Sequence, residues 1–269
     1  MIPRLIHYSW ISSDPQPELV KRCLESWVRV MPDYELVLWD AKRIADEIHS
    51  PFVDEAIREK KWAFAADYVR LYAVYHYGGI WLDADVEVRM SFDRVLSHRF
   101  FIGQEAATFY SFNTAFKDTH LTAHCFGAEA GHSFLRICLD YYHGRHFVTS
   151  TNEHLPQDMR LDMTLLPLIL ARLLQSYGYR AQAYYYDTEQ TLDEDIHVYP
   201  SCYFDVPKSV LTKKVYCIHH CMESWGRGRQ PRPRRYATWG QTLYWGIMRV
   251  VNWLPRKFGK EVCICFCRW

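Results

Sequence analysis

The sequence predicts an α/β chain. Three observations carry this: a strand, helix, strand start over the first 39 residues, a long helical pattern closed by Gly78-Gly79, and a short apolar strand directly after that stop. Leu5 to Trp10 reads as the first strand. Pro17 to Met31 reads as a helix opened by proline, with Val20, Leu24, Trp27 and Met31 recurring on one face. Tyr34 to Trp39 reads as the second strand. Sheets that begin this way carry their ligands at the carboxyl ends of the strands.

From Pro51 to Tyr77 the pattern is helical, with a break expected near Lys60 and Lys61, and Gly78-Gly79 supplies the left-handed stop that helices favour. Ile80-Trp81-Leu82 then forms a buried strand that runs into Asp83-Ala84-Asp85, and Val86-Glu87-Val88 resumes an extended pattern. Later elements are a strand from Phe100 to Gly103, a helix from Gly131 to Tyr142, and an apolar helix from Met163 to Tyr177 broken by Pro167. Tyr184 to Tyr186, Val198-Tyr199 and Val215 to His219 complete the expected strands. No internal repeat is present.

With 269 residues, 49% hydrophobic and 16% aromatic, the chain can bury a full core in one large domain with appendages. Lys plus Arg number 32 against 31 Asp plus Glu, so no global field draws the molecule onto nucleic acid. Met1 to His7 lacks the apolar run of a signal peptide, which makes the cytoplasm the expected compartment and reduced thiols the expected state of the nine scattered cysteines. Cys217 and Cys221 flank His219 and His220 in a way that suggests zinc, but no second cysteine pair stands at finger-like spacing.

The chemistry-bearing residues gather around the strand at Ile80. Asp83 and Asp85, two apart on extended chain, send their side chains to one face and can share a Mg²⁺ or Mn²⁺ ion that neutralises a diphosphate leaving group. The plainer reading is a solvated turn, against which stands the buried strand that delivers the pair. Asp67 and Arg70 lie three apart on one helix face, either as an ordinary ion pair or as a carboxylate for sugar hydroxyls beside a guanidinium for phosphate. His219, His220, Ser224 and Trp225 close a late strand, where one imidazole can complete the cation's shell while hydroxyl and indole donate to phosphate. Packing is the competing role for both histidines. Trp10 ends the first strand and either stacks on a base or belongs to the core, while Glu105 and Glu129 read as ordinary surface carboxylates.

After Trp225 the composition changes. Gly226 to Arg235 holds five arginines, two glycines and two prolines, and the aromatic stretch from Thr238 to Leu254 is 17 residues long and interrupted by Gln241, Arg249 and Asn252. The expected division is a catalytic domain over 1–225 and, over 226–269, a basic linker with an amphipathic helical tail. Such a tail is too short and polar to span a bilayer and suits an anionic membrane surface at the inner face, or packing on protein.

Four blocks, in order, resemble glycosyltransferase family 32, the Asp-x-Asp sugar transferases of bacterial capsular-polysaccharide and glycolipid type. They are Ile6-His7-Tyr8-Ser9-Trp10, Ala65-Ala66-Asp67-Tyr68-Val69-Arg70, Tyr77-Gly78-Gly79-Ile80-Trp81-Leu82-Asp83-Ala84-Asp85-Val86, and Ile218-His219-His220 with Ser224-Trp225. The resemblance implies a GT-A fold, a UDP-sugar donor, Mn²⁺ or Mg²⁺, and transfer with retention of configuration. It implies that Trp10 stacks on uracil, that Asp83 holds the ribose and helps with the metal, and that Asp85 binds the metal directly. It further implies that Asp67 and Arg70 grip the donor sugar, that His219 is the later metal ligand, and that Ser224 with Trp225 holds the diphosphate. Asp67, Arg70, Asp83 and Asp85 are thus the expected catalytic set. One departure is Asp162-Met163-Thr164-Leu165-Leu166-Pro167, where many relatives carry a Thr-Gly-Pro-like turn, and it falls on the acceptor side.

Galactose is the expected sugar, ahead of glucose or mannose. The expected acceptor is lipid-borne: a glycan on a polyprenyl carrier, a capsular or lipopolysaccharide precursor, or a membrane lipid such as ceramide. A metal phosphohydrolase and a non-catalytic carbohydrate-binding relative are the competing classes.

Overall fold

The structure, a computed structural model, describes residues 1–105, 121–182, 187–205 and 215–222. Expectations for Tyr184 to Tyr186, for Ser224 and Trp225, and for the whole of 226–269 lie outside these residues.

Strand β1 (Leu5–Ser9) is followed by α1 (Glu18–Val30), β2 (Glu35–Trp39), α2 (Ala41–Glu47), α3 (Pro51–Arg58) and α4 (Trp62–Tyr77). Strands β3 (Gly79–Leu82), β4 (Val86–Val88), β5 (Phe100–Gln104) and β6 (Leu121–Ala128) come next, then α5 (Ser133–Tyr142) and α6 (Leu166–Leu174). The described chain closes with β7 (Gln190–Leu192), β8 (Ile196–Tyr199), α7 (Ser201–Phe204) and β9 (Cys217–His219). Seven strands form one sheet in the order β2-β1-β3-β6-β5-β8-β7, and β4 pairs with β9 in a separate antiparallel ribbon. Within the large sheet β2, β1 and β3 run parallel, β6 is antiparallel to both neighbours, β8 is parallel to β5 and β7 antiparallel to β8. This is the mixed, helix-flanked α/β sheet that the GT-A resemblance implies.

Side-chain alternation divides two cores across the sheet. Trp81, Phe100, Ile102 and Phe126 point to the face covered by α3, α4, α5 and α6, whereas Ile80, Leu82, Phe101 and Cys125 point to the face covered by α1, α7 and the β4-β9 ribbon. Both faces of β3, β5 and β6 are therefore buried, which accounts for their unbroken apolar runs.

The junction of α4 and β3 is held tightly. Gly79 has φ +104, and a Cβ there would lie 2.7 Å from the Leu5 carbonyl oxygen. Only glycine passes so close to β1 in that conformation. His7 secures the same corner from inside: it is 1% exposed, accepts the Trp39 indole N–H at Nδ1 (3.1 Å) and donates from Nε2 to the Gly78 carbonyl (2.8 Å). Burial lowers its pKa to about 4, so the ring stays neutral and bridges β2, β1 and the helix stop.

Two expectations are corrected. Pro167 does not break a helix but sits in the first turn of α6, where a missing N–H costs nothing; the helix starts at Leu166 instead of Met163, ends at Leu174, and is followed by one tighter turn to Tyr177. Asp83-Ala84-Asp85 is not extended chain. It forms a turn closed by the Val86 N–H on the Asp83 carbonyl (2.9 Å), so strand alternation is not what brings the two carboxylates together.

Candidate functional site

The site forms where β3 leaves the sheet. Extending the parallel register of His7 with Trp81 places Trp10, just past β1, at the same sheet end as Asp83 to Asp85. The Trp10 indole N–H donates to the Asp14 carbonyl (2.8 Å) and the side chain keeps part of its surface exposed.

Helix α1 holds the ribbon that completes the site. Trp27 donates its indole N–H to the Val86 carbonyl (2.7 Å), and the Ser26 hydroxyl accepts from the Val88 N–H (2.9 Å). Val86 is paired with His219 across the ribbon, so anchoring β4 also fixes where His219 stands.

One carboxylate oxygen each from Asp83 and Asp85 and one ring nitrogen of His219 lie within 4.8 Å of one another. Among the described residues this is the group of His, Cys, Asp or Glu ligands gathered closely enough to share an ion. Donors around one Mg²⁺ or Mn²⁺ are at most about 4.2 Å apart, twice a bond of about 2.1 Å, so the three fit an ion after shifts of a few tenths of an ångström. The chemistry fits as well: two hard carboxylates and one imidazole, on a turn backed by the ordered sheet.

His219 Nε2 stands 3.3 Å from Asp85 Oδ1, and the Met222 N–H donates to Asp85 Oδ2 at 2.8 Å. Burial works against the Asp85 charge, but the His219 imidazolium and the Met222 N–H outweigh it and hold the carboxyl below its ordinary range. Burial likewise opposes charge on His219, and Asp85 with Cys221 outweighs it, so the imidazole pKa is raised well above 6.5. A cation entering this pair would replace the proton the two groups share. His220, the neighbour, turns to Glu87 on the other side (3.2 Å), which leaves His219 as the ring at the cluster.

Arg70 joins the two sequence motifs into one network. It pairs with Asp67 (3.2 Å) and Asp83 (3.3 Å) and donates to the carbonyls of Ala66 (3.2 Å) and Ala123 (2.5 Å). The i, i+3 ion pair and the site contact are therefore one arrangement. Asp83 also accepts the Trp81 indole N–H (2.7 Å), and its own N–H donates to the His124 carbonyl (2.9 Å).

Burial raises the Asp67 pKa to about 7, Arg70 opposing the rise and Asp83 adding to it, while the Leu166 N–H at the start of α6 favours the carboxylate. The unusual Asp162 to Pro167 segment thus reaches Asp67 through the helix it opens. Because this folded-state pKa lies above the ordinary 3.8, the associated stability is complete below that value and is lost as pH rises through about 7. Asp67→Asn cannot ionise. It is expected to flatten the loss of stability between about pH 5 and about pH 8, by on the order of a few kcal/mol, in urea unfolding at the two pH values. Parallel losses in wild type and variant would mean that Asp67 enters the fold already ionised.

Two contributors, His124 and Ala123, carry no signal in the sequence, and a third, Cys221, stands out there only as a candidate zinc ligand. His124, 3% exposed, stacks on His219 with ring centroids 4.2 Å apart and is tied through Nε2 to the Phe204 carbonyl (3.1 Å). Ala123 contributes only its carbonyl, and Cys221 contacts His219 Nδ1 through sulfur at 3.2 Å. The first two sit on β6, for which no strand was expected. Glu129 pairs with Arg99 (2.6 Å) and the N-terminus (3.5 Å), as a surface carboxylate would. Ser224 and Trp225 lie outside the described residues.

Residues 3–159 match the family model described as capsular polysaccharide synthesis protein. The chain is similar to inositol phosphoceramide mannosyltransferase 3 of Schizosaccharomyces pombe, 31% identical over 100 residues that make up 36% of this chain and 28% of that protein. It is also similar to mannosyl phosphorylinositol ceramide synthase of Saccharomyces cerevisiae, 29% identical over 105 residues, 38% of this chain and 27% of that protein. The match thus spans little more than a quarter of the length of these curated relatives. Among solved structures it is similar to the PaToxG glycosyltransferase, with a TM-score of 0.44 at 17% identity, over 65% of this chain and 69% of that one.

Proposed function

Since this chain belongs to the capsular polysaccharide synthesis protein family, we propose that it is a glycosyltransferase that moves a hexose from a nucleotide-sugar diphosphate to a lipid-borne acceptor. The observation that supports the reading most is the convergence of Asp83, Asp85 and His219 at the end of a buried strand, with Asp67 and Arg70 locked against it. Those three residues would hold Mn²⁺ or Mg²⁺, which supplies charge neutralisation to the departing diphosphate.

The rest falls to the chain's own side chains. Trp10 stacks on the base, uracil in a UDP donor, and Asp83 also reaches the ribose. Asp67, held by Arg70 and by the start of α6, receives the sugar hydroxyls, and Ser224 with Trp225 donates to the diphosphate. No described side chain stands out as a nucleophile. The acceptor hydroxyl therefore adds to the anomeric carbon on the face from which the phosphate leaves, its proton passes to the departing phosphate oxygen, and configuration is retained. Galactose from a UDP donor is our first choice; mannose is the second, because the relatives' names state mannosyl transfer to inositol phosphoceramide. The acceptor is a lipid-linked glycan, a polysaccharide precursor or a membrane lipid such as ceramide. The basic and aromatic stretch 226–269 would hold the enzyme on the anionic inner face of the membrane. Among the described residues no helix is long and apolar enough to cross a bilayer.

A panel of UDP-galactose, UDP-glucose and GDP-mannose, assayed for nucleotide diphosphate release with Mn²⁺, is expected to single out one donor with slow, chelator-sensitive turnover. That donor, radiolabelled and offered to membrane extract, should label a lipid-soluble product. Turnover of simple phosphate esters with no preference for a nucleotide sugar would instead support the phosphohydrolase.

A further inference from the structure

The loop that follows β9 wraps around Asp85. His220 donates its backbone N–H to the Asp85 carbonyl (3.1 Å) and Met222 donates its own to Asp85 Oδ2 (2.8 Å), so the residues on both sides of Cys221 are tied to the same aspartate. Cys221 itself has φ +47, a left-handed conformation that a cysteine rarely adopts and that costs on the order of 1 kcal/mol or more. The strain is held in place by the two flanking hydrogen bonds. Its result is that the sulfur lies 3.2 Å from His219 Nδ1, while Nε2 of the same ring faces Asp85 at 3.3 Å.

An imidazole binds a cation through a nitrogen that carries no proton, and its proton then resides on the other nitrogen, which needs an acceptor. The Nε2 edge of His219 is turned to Asp85 and the Nδ1 edge to Cys221. Stacking by His124, itself tied to the Phe204 carbonyl, keeps the ring from tilting but offers nothing to the proton on Nδ1. Were the thiol instead to donate to Nδ1, the remaining proton would sit on Nε2 and the ring could not bind.

We propose that Cys221 is a positioning residue of the cation site: its sulfur accepts the Nδ1–H of His219 and so fixes the tautomer whose Nε2 lone pair points at Asp83 and Asp85. This rests on the reading of those three residues as cation ligands. A serine hydroxyl keeps an acceptor in the same place, whereas alanine removes it. Both substitutions meet the same left-handed backbone, so strain alone affects them alike.

The test uses the full chain and Mn²⁺ by itself, with free ion followed by electron paramagnetic resonance and unfolding followed on the metal-free protein. C221A is expected to bind Mn²⁺ about 10–100-fold more weakly than wild type, and C221S to recover most of the loss. The metal-free thermal midpoints of the two variants should be alike. Equal weakening in C221A and C221S, tracking a shared loss of stability, would make the role merely structural and overturn the proposal. A sulfur-to-metal charge-transfer band in the Co²⁺-loaded wild type, absent from C221S, would place the sulfur on the ion and overturn it too. If wild type binds Mn²⁺, Asp85→Ala abolishes binding and C221A changes nothing, the role of Cys221 alone fails. If wild type and Asp85→Ala bind equally poorly, the cation reading falls and takes this inference with it.

Discussion

Asp85→Ala is expected to lower nucleotide-sugar turnover by about 1,000-fold at a Mn²⁺ concentration that saturates wild type, on the order of 4 kcal/mol of transition-state stabilisation. The effect is large because Asp85 does three things at once. It lies in the ligand cluster, it stands 3.3 Å from the His219 ring and helps to place it, and it anchors the loop through the Met222 N–H. Removing it therefore takes away a ligand and loosens a second one. Product release assayed against Mn²⁺ concentration checks this, with the circular dichroism spectrum showing that the sheet survives. Turnover within threefold of wild type would remove the cation from the mechanism and leave Asp83 and His219 without a shared task.

Arg70→Met is expected to be the most damaging substitution for stability. Arg70 is 5% exposed and its guanidinium stands between two carboxylates and two carbonyls, so an apolar replacement leaves Asp67 and Asp83 facing each other without a counter-charge. Breaking a buried pair by removing one partner costs about 3–5 kcal/mol. For a chain of this size that lowers the thermal midpoint by roughly 6–20 °C. Arg70→Lys should recover only part of the loss, since an ammonium cannot span four oxygens in one plane. Mild acid should narrow the gap between Arg70→Met and wild type, because Asp67, with its pKa already raised to about 7 by burial, then takes up a proton more readily. A midpoint within about 2 °C of wild type would show that the two carboxylates do not need the arginine.

Much of the first half of the fold was legible because its signals are local. The 3.6-residue recurrence of Val20, Leu24 and Trp27 marks α1, the break at Lys60 and Lys61 separates α3 from α4, and Lys60 indeed takes a positive φ of 54°. Gly78-Gly79 ends α4 as expected, with both glycines at positive φ. In contrast, β6 went unseen. Its sequence Leu-Thr-Ala-His-Cys-Phe-Gly-Ala is buried along its whole length, so it shows no alternation, and it is poor in the branched residues that advertise a strand. β7 is three residues long and only partly buried, too short for a pattern. α2 opens on Asp40, whose side chain caps the Arg43 N–H, a signal that was present in the sequence and passed over.

The sequence by itself determined the parts of the site that rest on spacing along the chain. Asp67 and Arg70 share a helix face, and the buried strand stops at Leu82 and so delivers Asp83 to the sheet end. Only the tertiary structure decided what those parts touch. Arg70 reaches Asp83 and the Ala123 carbonyl, His124 lies flat on His219, and the turn at Ala84, not strand alternation, aims Asp83 and Asp85 at one point. The physical reason is that a periodicity of two or 3.6 residues records which face a side chain occupies. Which distant backbone oxygen or ring completes its surroundings is set by sheet order, here the insertion of antiparallel β6 between β3 and β5, and no local pattern carries that order.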